Sequence, residues 1–296
     1  MCSGVRRDEI HQEAIQTKDL TLIFGIGREY ARVLEALGVA TWEDLLHSDV
    51  QALAASFRAR GYPTVTTTEI GRWRQHARSY ALGHPVTFDD LPAGGAADFP
   101  VGSSFIALDL EYDSEHEEPE SLIWLVGACV VDGDLQEHLM LWADSTEDEE
   151  HNLRALGELT RGHPTLPVVT WAGDGAEVPQ LRAAAKRWGI GLDLDSLIER
   201  HIDLFAYARR HVRLPIPHLG LKEVADYFGI PRLSGVAGGL YARSLHERYR
   251  RTGDLRLRDR LVDYNHDDLD ALVGVTEQLA RLTDPAEGSF SQSSGS

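Results

Sequence analysis

Lysine is nearly missing from this chain: Lys18, Lys186 and Lys222 are the only three, so 26 of its 29 basic residues are arginine. Cysteine is scarcer still. Cys2 and Cys129 cannot build a disulfide framework or a four-ligand zinc site. Long apolar runs are absent as well; the longest, Leu122 to Val131, is about half of what a membrane-spanning helix needs. The opening MCSGVRRDEIHQ has no apolar core behind its arginines and does not read as a secretory leader. These absences point to a soluble chain of a reducing compartment, expected in the cytoplasm and without a membrane partner.

The 296 residues suffice for two ordinary domains or one large one, and 43% hydrophobic with 26% charged residues fits a packed core. Net charge is −18, which repels polyanions unless positive groups cluster or metal ions bridge the gap. The arginine excess has two readings: compositional bias, or retention of guanidinium for bidentate phosphate contacts.

The hydrophobic pattern is helical from Asp19 to about Gly83, with breaks at Gly25–Gly27, Gly38 and Gly61–Pro63. Residues 84–102 concentrate Pro, Gly and Asp and read as a linker. Beyond it, Ser104–Tyr112, Leu122–Asp132 and Leu135–Trp142 read as strands, the last two joined by the turn Asp132–Gly133–Asp134. A helix over 147–161, a strand over 167–171, a helix over 177–188 and a strand near 201–204 follow. Helices over 220–228, 235–250 and 255–282 complete the pattern, and 285–296 reads as a disordered tail. The order predicts an α/β domain over 103–284, a mixed sheet with flanking helices, behind a small all-α domain over 18–83.

Three segments carry carboxylates with chemical promise. In SSFIALDLEYD, Asp109 and Glu111 are two apart on an apolar strand and share a face. In LVDYNHDDLDALVG, Tyr264 and Asp268 are four apart on a helix and stack on one side. In PVVTWAGDGAEVPQL, Glu177 falls in the first helical turn, where a carboxylate faces free N–H groups, and Asp174 just before it competes for any catalytic role. Each has a plain alternative: a strand end entering solvent, an acidic helix face, a helix cap. The histidines at 201, 211, 218 and 266 show no metal-ligand spacing, and Asp203 reads as a helix cap.

In order, these blocks resemble the DEDD 3′–5′ exonucleases of the ribonuclease H-like fold, with YxxxD at Tyr264–Asp268 matching the tyrosine subtype. IDLFAYAR, HLGLKEVADYFGIPR and SGVAGGLYARSLHERYRRTGDLRLRDRLVDYN bring the likeness closest to the C-terminal ribonuclease H-like domain of predicted RecB-type nucleases. The resemblance implies metal-ligand roles for Asp109, Glu111, Glu177 and Asp268, a water-orienting role for Tyr264, and two Mg²⁺ or Mn²⁺ ions. The middle motif departs from the pattern: Ala172, Ala176 and Glu177 stand where most of the superfamily has Asn, an aromatic and Asp. A carboxylate cage suits this chemistry because hard cations take oxygen ligands, and paired ions about 4 Å apart serve both the attacking and the leaving oxygen.

The segment DLTLIFGIGREYARVLEALGVATWEDLL resembles a helix–hairpin–helix, which such proteins carry ahead of the nuclease-like domain. Its loop, Gly25, Ile26 and Gly27 followed by Arg28, would present backbone N–H groups to a phosphate, with Arg28 and Arg32 flanking it. Phe24 stands where the motif usually has proline, and a small packing module is the alternative. The combined expectation is a metal-dependent 3′–5′ exonuclease acting on nucleic acid, DNA ahead of RNA, with a protein partner for any further nuclease or helicase activity. The alternative is a catalytically inactive nucleic-acid-binding or scaffold protein that keeps the fold.

Overall fold

A computed structural model describes residues 12–87, 99–113, 122–234 and 238–283. Most of the expected linker, the acidic stretch 114–120 and the tail 285–296 lie outside the described residues. The chain divides into two units: residues 1–95 with 211–219, and 96–210 with 220–296.

Unit 1 is helical: α1 (12–17), a 3₁₀ turn at Leu20–Leu22, α2 (Arg28–Ala36), α3 (Trp42–His47), α4 (Val50–Ala59) and α5 (Thr67–Leu82). Its helix starts are written in the sequence. Thr41 and Asp44 form a reciprocal capping box, Asp49 accepts from Gln51 N and Ala52 N, and Thr66 caps α5. Leu34, Leu45, Phe57, Ile70 and Trp73 form the core, with Tyr30 set edge-on against Phe57 and Tyr62. A two-stranded antiparallel ribbon, β1 (Val86–Thr87) with β7 (Val212–Arg213), ties residues 211–219 to this unit. His76 Nδ1 accepts from Phe24 N at 2.9 Å, so its proton sits on Nε2, 2.9 Å from the Leu214 carbonyl. The sequence reading runs the second domain unbroken through 211–219; two-residue strands are too short to leave a periodic signal.

Unit 2 holds a five-stranded sheet built from β2 (Ser104–Tyr112), β3 (Ile123–Asp132), β4 (Leu135–Trp142), β5 (Val168–Thr170) and β6 (His201–Asp203), in the order β4-β3-β2-β5-β6. β4, β3 and β2 run antiparallel, whereas β5 and β6 are parallel to β2. This is the mixed α/β sheet expected from the pattern. Both faces of β2 are covered. Ile106, Leu108 and Leu110 meet Leu153 and Leu156 of α6 (Thr146–Gly162), Leu181 of α7 (Glu177–Trp188) and Leu194 of α8 (Gly191–Glu199). Phe105 and Ala107, on the other face, meet Leu204 at the start of α9 (Leu204–His211) and Leu269, Leu272 and Val273. Those last three belong to α12 (Leu255–Thr283), against which α10 (Leu221–Tyr227) and α11 (Gly239–Thr252) pack.

Helix α8 does not stand out in the sequence because its N-cap, Ile190, supplies no side-chain hydrogen bond. The α6 side of the sheet is fixed by one buried carboxylate. Glu149 accepts from Ile123 N and Arg187 Nη2, both at 2.8 Å, and from Trp188 Nε1 at 2.7 Å. It joins β3, α6 and the end of α7, and it is 1% exposed. Glu149→Ala takes this acceptor from the half-buried Arg187 guanidinium and from two N–H groups, which costs about 3 kcal/mol. Thermal denaturation should show Tm falling by roughly 6–12 °C, a drop that Glu149→Gln, which keeps one acceptor, halves at least.

Candidate metal centre

Asp109 and Glu111 are odd-numbered residues of β2, so they share the Phe105–Ala107 face over which α12 runs. A register shift between Glu111 and Tyr112 marks where the strand leaves regular pairing. Opposite Asp109 on β3 stands Gly127. Its missing side chain matters, because a Cβ there would overlap the amide oxygen of Asn265 on α12. Asn265 is fully buried and donates from Nδ2 to Asp109 Oδ2 at 2.5 Å.

One turn of α12 supplies Tyr264 and Asp268, hydrogen-bonded to each other. Carboxylate oxygens of Asp109, Glu111 and Asp268 all lie within 4.8 Å of one another. Against them stands Lys222 of α10, its ammonium 3.3 Å from Asp268 Oδ1 and 3.9 Å from the Tyr264 ring centroid. That contact combines an ion pair with a cation–π approach. The signal for Lys222 was its place in HLGLKEVADYFGIPR, and for Asn265 its place between Tyr264 and Asp268; neither position announces a contact.

The cluster carries more negative charge than its surroundings offset. Burial pushes the Asp109 carboxyl well above the ordinary range, and the charges of Glu111, Asp268 and Glu177 add to it. Burial raises Glu111 to about 8, helped by Asp268 and opposed by Lys222 and Arg243. Asp268 is also raised by burial, but Lys222 and the Tyr264 hydrogen bond restrain it. The Tyr264 phenol is held protonated, first by burial and then by the carboxylates around it. Asp109 and Glu111 lie deep in the fold yet keep partial solvent contact, while Asp268 is buried.

Glu177 enters from a tight loop. Ala172 takes a left-handed φ of +65°, and Asp203 holds the turn by accepting from Ala172 N at 3.1 Å and Asp174 N at 3.3 Å. Asp203 also accepts from Ala206 N, so it caps α9 as expected and organises this loop besides. Glu177 is 6% exposed, and its Oε2 has no hydrogen-bond partner among the described residues. Burial raises it to about 7, opposed by its own backbone N–H. It stands outside the three-carboxylate group, although its charge is felt at Asp109 and Glu111. Asp174, by contrast, is 72% exposed and faces His201 Nδ1 at 3.5 Å. The donor set is all oxygen, with an orphaned buried carboxylate oxygen beside it. It fits a hard divalent cation.

In unit 1, Gly25 adopts φ +91°, Ile26 is buried and Gly27 precedes α2 without a side-chain cap. A Cβ at Gly25 would press on the Trp73 indole, so packing already accounts for that glycine. Arg28 and Arg32 are exposed on α2.

No described helix is long and apolar enough to cross a membrane. No curated protein matches the chain. Among solved structures, the family B DNA polymerase from the hyperthermophilic archaeon Pyrobaculum calidifontis is similar at 20% identity and a TM-score of 0.49, over 61% of this chain and 25% of the polymerase. The match thus spans a quarter of that polymerase's length. A family model described as the RNase_H superfamily matches residues 108–280, from the residue before Asp109 to well past Asp268. The match covers more than half of the chain, and the chain belongs to the RNase_H superfamily.

Proposed function

We propose that this chain is a metal-dependent nuclease, a 3′–5′ exonuclease of the DEDD type, acting on DNA ahead of RNA. The observation that carries the reading is the convergence of Asp109, Glu111 and Asp268 from a central strand and a distant helix, within a superfamily domain. These three would hold Mg²⁺ or Mn²⁺, with Glu177 completing the set. When bound, such ions supply Lewis acidity and an activated water for phosphodiester hydrolysis. The Tyr264 phenol, held protonated, would orient an attacking water by hydrogen bonding rather than take its proton. Asn265 fixes the Asp109 carboxylate, and Lys222 opposes the burial-driven rise of the Asp268 carboxyl and holds it in place. The likeness to RecB-type nucleases, and the helix–hairpin–helix reading of Gly25, Ile26, Gly27 and Arg28, extend this proposal to a backbone clamp in unit 1. A second reading, an inactive nucleic-acid-binding protein, draws on Glu177 standing outside the close group.

Hydrolysis of a 5′-labelled single-stranded oligonucleotide in Mg²⁺ or Mn²⁺ tests the proposal. A ladder shortening stepwise from the 3′ end is expected; wild type that degrades neither DNA nor RNA leaves only the inactive binder. Asp109→Asn, Glu111→Gln and Asp268→Asn should each lose about 10²-fold or more, since misplacing one ligand disturbs the whole site. Tyr264→Phe should be milder. Glu177→Gln against Asp174→Asn decides the fourth carboxylate. Gly127→Ala should act like a ligand loss by expelling the Asn265 amide, with about 1–3 kcal/mol of overpacking besides.

The raised carboxyls also set a pH dependence. Folded Glu111 and Glu177 titrate near 8 and 7 rather than near their ordinary 4.5, so between those values the folded state binds more protons than the unfolded one. Stability of the metal-free protein should therefore fall as pH rises from about 5 to 8. Mn²⁺ displaces those protons, so its Tm increment should grow over the same range, and Glu111→Gln should flatten both trends in calorimetric scans.

Nucleic-acid affinity should weaken in Arg28→Ala/Arg32→Ala, with the slope of log K against log salt falling by about one per lost phosphate contact. An unchanged slope in binding titrations would mark the α2 loop as packing alone.

A further inference from the structure

We infer that unit 2 carries a second metal site, built from His138, His266 and Asp270, which takes a borderline divalent transition ion such as Zn²⁺ rather than Mg²⁺. His138 lies on the edge strand β4, while His266 and Asp270 are one turn apart on α12. His138 Nε2 is 3.0 Å from Asp270 Oδ1, and His266 Nδ1 is 3.2 Å from Asp270 Oδ2. The two imidazoles stack with centroids 4.1 Å apart and planes 17° apart. Ligand atoms of all three residues fall within 4.8 Å of one another.

Each imidazole nitrogen thus stands against a different oxygen of Asp270, at a separation that donors around one ion also take. With metal–nitrogen and metal–oxygen bonds of about 2.0–2.1 Å, adjacent donors lie about 2.8–3.4 Å apart for angles between square and tetrahedral. A single imidazole would satisfy Asp270 as a hydrogen-bond partner; here two are gathered against it, from elements 128 residues apart in the chain. The chemistry separates this set from the carboxylate centre. Two imidazole nitrogens and one carboxylate favour zinc and its neighbours, whereas an all-oxygen cage favours Mg²⁺. Cys129 pairs with His138 in the sheet register but is fully buried with the apolar contacts of α12, which leaves a donor set of two nitrogens and one carboxylate. The three side chains are 21%, 44% and 41% exposed, open enough for an ion to enter and for water to fill the remaining positions.

The consequence is mechanical. Tyr264 and Asp268 serve the carboxylate cluster, Leu269 packs under the sheet face, and His266 with Asp270 reaches the edge strand. An ion on this set would pin α12 to β4. The inference does not depend on the nuclease reading.

Thermal melts of the full chain, EDTA-stripped and then held in millimolar Mg²⁺ to fill the carboxylate centre, are titrated with micromolar Zn²⁺. Zn²⁺ should raise Tm in wild type and equally in Asp109→Asn, and one equivalent should remain bound after dialysis by elemental analysis. His138→Gln, His266→Gln and Asp270→Asn should each weaken apparent Zn²⁺ affinity at least about tenfold while keeping the Mg²⁺ increment, which shows that they fold. Co²⁺ should give visible d–d absorption in wild type that His138→Gln removes. Absence of any Zn²⁺ increment would overturn the site. So would an increment that survives His138→Gln, or one lost in Asp109→Asn, since zinc would then be sitting among the carboxylates.

Discussion

Like charges gathered where water is scarce are the constraint around which unit 2 is arranged. Left alone, Asp109, Glu111 and Asp268 would drive the end of β2 and the middle of α12 apart. The fold answers with small, specific devices: an amide donor from Asn265, one ammonium from Lys222, and protons held well above the usual carboxyl range. Even the bare backbone of Gly127 belongs to this group, since it opens the space through which the amide reaches. The apolar contacts of Phe105 and Ala107 with Leu269, Leu272 and Val273 supply the attraction that holds the charged ends together.

That arrangement explains why the two sides of the sheet differ. On the α6–α8 side the buried carboxylate of Glu149 has three donors that satisfy both of its oxygens. Its role is to lock three elements in place. On the α12 side the polar groups are left under-satisfied, with Asn265 Oδ1 lacking a hydrogen-bond partner among the described residues. A fully satisfied buried network rigidifies, whereas an unsatisfied one marks where an external group is to bind.

Much of this was legible in the chain itself. β2 and β4 are readable to the residue because apolar runs end in charge or turn signals, and α7 because Glu177 and Gly189 bracket an amphipathic stretch. Pairing Asp109 with Glu111, and Tyr264 with Asp268, needs only the strand and helix periods. What the sequence could not disclose is contact between distant elements. Lys222 over Tyr264, Asn265 beneath Gly127, and His138 beside His266 are each set by how α12 lies on the sheet. His266 in particular looks isolated because its stacking partner stands on a strand far upstream. The ribbon of Val86–Thr87 with Val212–Arg213 escapes for a simpler reason: two residues carry no period.

That ribbon bears on how the chain comes into being. Unit 1 draws most of its residues from the first 95, yet the Nε2 of its buried His76 faces carbonyls of Leu214 and Ile216. A chain emerging from the ribosome can form α2 to α5 early, but it must synthesise the five sheet strands of unit 2 before the missing piece of unit 1 appears. Until then an imidazole N–H in the helical core waits for its acceptor. The order of synthesis and the order of completion are therefore different, and the two units mature as interleaved rather than successive events.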